Sequence, residues 1–106
     1  MASYNKIAND LAKCYVQAKH KNYAINQIIF EINFLSDPKS KEPLNYSAKA
    51  AILKQIHELI AGQKTIELQE GEEIVPEFND ITVFFEKKNV ILKQLKVCNR
   101  ERAMLN

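Results

Sequence analysis

The sequence predicts a mainly α protein, an elongated three-helix bundle with a long N-terminal helix. Either a short β-hairpin or an extended loop should precede the last helix. Three observations carry this expectation. Tyr4, Ile7, Leu11, Cys14, Ala18, Ile25, Ile28, Ile32 and Leu35 recur at alternating steps of three and four, interrupted only at Lys21. The 106 residues include only two Gly and three Pro, too few for a turn-rich β fold. Two further apolar stripes at helical spacing follow, separated by polar stretches. A chain of this length is read as one domain spanning residues 1–106. At 46% hydrophobic and 26% charged residues it can bury a core without metal or disulfide support.

The first helix is expected over about residues 4–35, because no Gly or Pro occurs before Pro38. At 1.5 Å per residue it would be roughly 48 Å long. Its first half is amphipathic, with Lys6, Asp10, Lys13, Gln17 and Lys19 off the seam, and its second half, from Tyr23 to Leu35, is apolar around most of its circumference. Lys19-His20-Lys21-Asn22 is the polar stretch at which it could break, but the heptad phase is the same on both sides, which favours continuity. Ser36-Asp37-Pro38 should end it, and SDPKSKEPLNY reads as a loop.

The second helix is expected over about 47–61, capped by Asn45 or Ser47 and ended by Gly62, with Ala48, Ile52, Ile56, Leu59 and Ile60 on one face. Residues 64–79 contain two short β-like runs, Thr65–Leu68 and Glu73–Phe78, around Glu70-Gly71-Glu72. They form a hairpin with Pro76 on an edge, or a loop laid over the helices by Ile66, Leu68, Val75 and Phe78. The last helix is expected over about 80–103, starting at Asn79 or Asp80, with Ile81, Phe84, Phe85, Ile91, Leu92, Leu95 and Cys98 on its inner face. The run Ile81–Phe85 also fits a strand, but the shared face favours the helix.

Net charge is +2, unevenly placed: +4 over residues 1–66, −7 over 67–86 and +5 over 87–106. The polar N-terminus MASYNKIAND and the absence of an 18-residue apolar run suggest a cytoplasmic protein without membrane contact. Abundant Lys, Asn and Ile, all with AT-rich codons, suggest a bacterial, phage or plasmid origin.

Catalytic and metal chemistry find little purchase. Cys14, His20, His57 and Cys98 lack close ligand spacing, and both cysteines fall on the expected buried stripes. His57 is expected on a solvated helix face beside Lys54, Gln55 and Glu58. No nucleophile lies beside a base, and two separated glycines cannot cradle a phosphate. No cofactor, metal or small-molecule substrate is expected, and the protein is not expected to be an enzyme.

Binding is the better expectation. A seam longer than the second helix can cover makes Tyr4, Ile7, Leu11, Cys14 and Ala18 candidates for a protein interface or self-association. Glu70, Glu72, Glu73 and Glu77 are candidates for contact with a basic partner. Lys87, Lys93, Lys96, Arg100 and Arg102 are candidates for nucleic acid. The function expected first is a non-enzymatic protein-binding module: a small adaptor, a chaperone-like subunit or an inhibitor of a larger complex. The alternative is a nucleic-acid-associated regulator using the basic face of the C-terminal helix.

Overall fold

The computed structural model describes residues 2–37, 39–68 and 71–105, with side chains described at 4–37, 39–68 and 71–96. The protein is mainly helical, with a two-stranded antiparallel sheet before the last helix: α1 (Ala2–Gln17), α2 (Lys21–Asn33), α3 (Tyr46–Ile60), β1 (Ile66–Glu67), β2 (Glu73–Ile74) and α4 (Phe78–Leu105). The single long N-terminal helix of the sequence reading is corrected here. It breaks at residues 18–20 into two helices, so the bundle has four helices rather than three.

Lys21, the residue that interrupts the apolar seam, explains the break. Its Nζ donates to the carbonyls of Tyr15 at 2.8 Å and Val16 at 3.0 Å, among the last four carbonyls of α1, which have no partner within their own helix. A cation there also suits the negative end of the helix dipole. The same ammonium lies 2.8 Å from Asp80 Oδ1 and 5.0 Å from the centroid of the Tyr15 ring. Asp80 belongs to the first turn of α4, so the bend is held by a residue far along the chain. Its Oδ2 accepts the Glu77 N–H at 2.9 Å, an N3 carboxylate reaching back to the N-cap. Tyr15 Oη donates to the Asp80 carbonyl at 2.8 Å, and burial, reinforced by the Asp80 charge, pushes its pKa up to about 12. Tyr15 thus stays a neutral donor at any physiological pH.

Because the helix breaks, α1 packs principally on α3 and α2 on α4, while α3 and α4 also pack together. The buried face of α1 is Ala8, Leu11, Ala12 and Tyr15. Two alanines four residues apart let α3 approach closely. Cys14 was expected on the buried stripe and is exposed instead, since it lies about 100° around the helix from Tyr15. The side chain of Cys98 lies outside the described residues.

The loop before α3 is tied by Asp37, whose Oδ1 accepts the N–H groups of Lys39 and Ser40 at 2.8 and 3.1 Å. The N–H groups of Ser40, first, and Lys39 hold its carboxyl below the usual range. Asn45 caps α3 by accepting the Ala48 N–H at 2.8 Å, and Gly62 follows it at φ +84°. Of the expected apolar face, Ile52, Ile56, Leu59 and Ile60 are buried, joined by Leu53, while Ala48 is half-buried against them. Lys49 is also fully buried and donates to Asn33 Oδ1 at 2.8 Å, tying α3 to the end of α2.

A hairpin forms, with Ile66 opposite Ile74 and Glu67 opposite Glu73, ending short of Pro76. Asn9 anchors it to α1: its amide donates to the Glu67 carbonyl at 2.8 Å and its Oδ1 accepts the Glu67 N–H at 2.9 Å, as a neighbouring strand would. Ile66 is buried, but Val75 and Phe78, expected to lie over the helices, are exposed. On α4, Phe84, Ile91 and Leu95 enter the core, whereas Phe85 is 61% exposed and not part of the inner face expected for it.

Candidate functional site

The residues left outside the core define the surface of interest. Tyr23, Phe30 and Phe34, on α2 and at its C-cap, are 72%, 57% and 68% exposed. Spacings of seven and four residues put them on one stripe of the helix. The stripe arises because α2 buries Ala24, Ile25, Ile28 and Ile32 on its other side. The Phe30 and Phe34 rings lie 5.1 Å apart, within aromatic contact. Beside them a groove of about 720 Å³ runs between α2 and α4, with Ile25, Ile29 and Val90 among its apolar lining and Asn22, Asn26 and Gln94 among its polar lining. Lys87 is the one charged residue lining it among those described, and no residue of α2 from Asn22 to Phe30 is charged. An exposed aromatic patch beside an apolar groove with amide edges has the chemistry of a protein contact surface.

This is not the surface the sequence suggested. Leu11 is 8% exposed and in the core, and Tyr4, Ile7 and Ala18 pack against the core; of the five seam candidates, Cys14 is the exposed one. Glu72, Glu73 and Glu77 are exposed around the hairpin, and Glu70 lies outside the described residues. Lys87 is half-buried at the α2–α4 groove, while Lys93 and Lys96 are exposed on the flank of α4 that faces Tyr46. The basic residues of α4 therefore occupy two flanks of the helix. The side chains of Arg100 and Arg102 lie outside the described residues.

His57 also departs from expectation. It is half-buried rather than on a solvated face, with its ring 5.9 Å from Phe84 in a stacked arrangement and 5.0 Å from Phe85 edge-on. Its Nε2 is buried without a hydrogen-bond partner among the described residues. Burial pushes its pKa below the ordinary 6.5, helped by the Lys88 charge and opposed by Glu58. Because the folded pKa is depressed, the neutral ring's contribution is complete above the ordinary value and is lost as pH falls toward the folded one. Thermal melts from about pH 7.5 to about pH 5.5 should show a loss of stability that shrinks in His57→Phe. An identical loss in the variant would exclude His57 as its source.

Among the described residues no group of three or more His, Cys, Asp or Glu could hold a metal ion, and no helix is long and apolar enough to cross a membrane. Comparison with protein-family models, with curated proteins and with solved structures gave no match to this chain.

Proposed function

We propose that this chain is a non-enzymatic protein-binding module, serving as a small adaptor, a chaperone-like subunit or an inhibitor of a larger complex. The observation that carries the reading is the stripe of Tyr23, Phe30 and Phe34 beside the α2–α4 groove. Three aromatics that the fold could have buried face water instead, and such residues supply much of the affinity at protein interfaces. The binding surface has moved from the α1 seam, whose apolar residues the core consumes, to α2.

The test is capture from lysate with the tagged chain, with and without nuclease, comparing wild type with Phe34→Asp. The expected result is a protein partner that survives nuclease and drops at least about tenfold with Phe34→Asp, while the melting temperature of the variant changes little, as for other exposed sites. Equal capture by wild type and variant would remove the groove from the reading. A specific observation favours one second reading. Lys87, Lys88, Lys93 and Lys96 stand on α4 without an intervening acid. A nucleic-acid-associated regulator would give capture that disappears with nuclease, and binding that falls steeply with salt and weakens in Lys93→Glu and Lys96→Glu.

A further inference from the structure

We infer that two copies of this chain pair antiparallel along α4, the acidic end of each helix lying on the basic end of the other. This contact is separate from the α2 surface of the binding-module reading and goes beyond it. The strip that pairs is set by helical spacing. Phe78, Phe85 and Leu92 recur every seven residues and so stand on one flank of α4, the flank toward α3. Phe85 meets the His57 ring edge-on, and Leu92 lines a groove of about 320 Å³ with Tyr46, Asn89, Lys93 and Lys96. Phe78 is 84% exposed, and Val75, three residues ahead of it, is 78% exposed.

Charge identifies the cover. Glu73 and Glu77, both exposed, flank Val75 at the start of the strip, and Lys93 and Lys96, both exposed, stand at its other end. The ion pairs among the described residues, Lys21–Asp80 and Lys64–Glu58, leave all four unpaired. A partner of one sign would match one end and repel the other. A surface whose sign changes along its length matches both, and this strip, reversed on itself, is such a surface. An axis at Phe85 sets that ring against its own image, with Phe78 opposite Leu92 and Glu77 opposite Lys93 at both ends. Phe78 to Leu92 spans about 21 Å of helix. Glu86 lies about 100° around the helix from Phe85 on one side and Lys88 about 60° on the other. Each therefore meets its own image at a rim of the contact. Those like charges weaken the pair, so the dimer should dissociate on dilution.

Sedimentation equilibrium of the full chain, from about 5 to about 500 µM at about 50 and about 500 mM NaCl, tests this. At low salt the apparent mass should rise from the 12.2 kDa of one chain toward twice that value. At high salt the dissociation constant should be at least about tenfold larger. Phe78→Asp should stay monomeric throughout with an unchanged circular dichroism spectrum, since Phe78 is exposed in the single chain. Glu77→Lys and Lys93→Glu should each be monomeric alone and should form a one-to-one dimer when mixed, because the antiparallel register pairs the reversed charges. Glu86→Gln should tighten the dimer by removing a like charge at the axis. A wild-type chain that stays monomeric at the highest concentration and low salt overturns the inference. So does a dimer that ignores salt or survives Phe78→Asp. Failure of the mixed pair, or of Glu86→Gln to tighten the dimer, overturns the register. A monomeric wild type that binds oligodeoxythymidylate through Lys93 and Lys96 would give the basic end to nucleic acid instead. Lysate capture that still depends on Phe34 in a monomeric chain would leave the binding-module reading in place.

Discussion

Asp80→Ala is expected to cost about 3–5 kcal/mol of folding stability, the range for breaking a buried ion pair from one side. The side chains of Lys21 and Asp80 are 15% and 6% exposed, so water screens their 2.8 Å contact poorly. Removing the carboxylate leaves the ammonium bonded to the Tyr15 and Val16 carbonyls but without a counter-charge. It also deprives the Glu77 N–H of its acceptor at the start of α4. Three events thus coincide: an unpaired buried charge, a lost cap and a weakened bend between α1 and α2. Urea denaturation of Lys21→Met, Asp80→Ala and Lys21→Met/Asp80→Ala would measure the coupling. The double variant, which keeps neither charge of the pair, should be less destabilised than the sum of Lys21→Met and Asp80→Ala. A loss below about 1 kcal/mol for Asp80→Ala would mean that the pair is solvent-screened and does not hold the bend.

Leu11→Glu is expected to be the most damaging single change on the α1 seam, costing more than about 4 kcal/mol. Leu11 lies in the core with Ala8, Ala12 and Tyr15, where a carboxylate must either ionise without a partner or protonate at neutral pH. For a domain of this size, whose total stability is on the order of 5–15 kcal/mol, that removes a large fraction of it. The urea midpoint, followed by circular dichroism at 222 nm, should fall far below that of wild type. Cys14→Glu, three positions on but exposed, should stay within about 0.5 kcal/mol of wild type. This contrast separates a seam that is core from a seam that is an interface. A folded, stable Leu11→Glu chain would refute the packing of α1 on α3.

Much of the fold was legible because its causes are local. The period of the apolar residues along α3 and α4, Asn45 as one of two N-cap candidates, Gly62 after α3 and the helix stop ahead of Pro38 each act within a few residues. The hairpin was legible as one of two alternatives. Its docking was not, since Asn9 reaches the Glu67 backbone across 58 positions of the chain.

The candidate site was the least legible part. Its signal was present in the spacing of Tyr23, Phe30 and Phe34, but in a segment apolar almost all round, periodicity does not say which stripe will be covered. Coverage depends on where α4 packs on α2, at whose start Lys21 meets Asp80 of α4. His57 was misplaced for a similar reason: its sequence neighbours are polar, and its burial comes from Phe84 and Phe85 on another helix.

The sequence by itself determined that this chain is mainly α, where α3 and α4 lie to within a residue or two, and that either a hairpin or an extended loop separates them. Those outcomes follow from propensity, capping and periodicity, which are short-range. Tertiary structure alone decided that the N-terminal helix breaks just before Lys21, that the α1 seam apart from Cys14 packs in or against the core, and that Tyr23, Phe30 and Phe34 stay exposed along α2. The physical reason is that a lone lysine in an apolar seam is only an interruption until a distant carboxylate meets it, and the partner that turns it into a corner is 59 residues away, at Asp80.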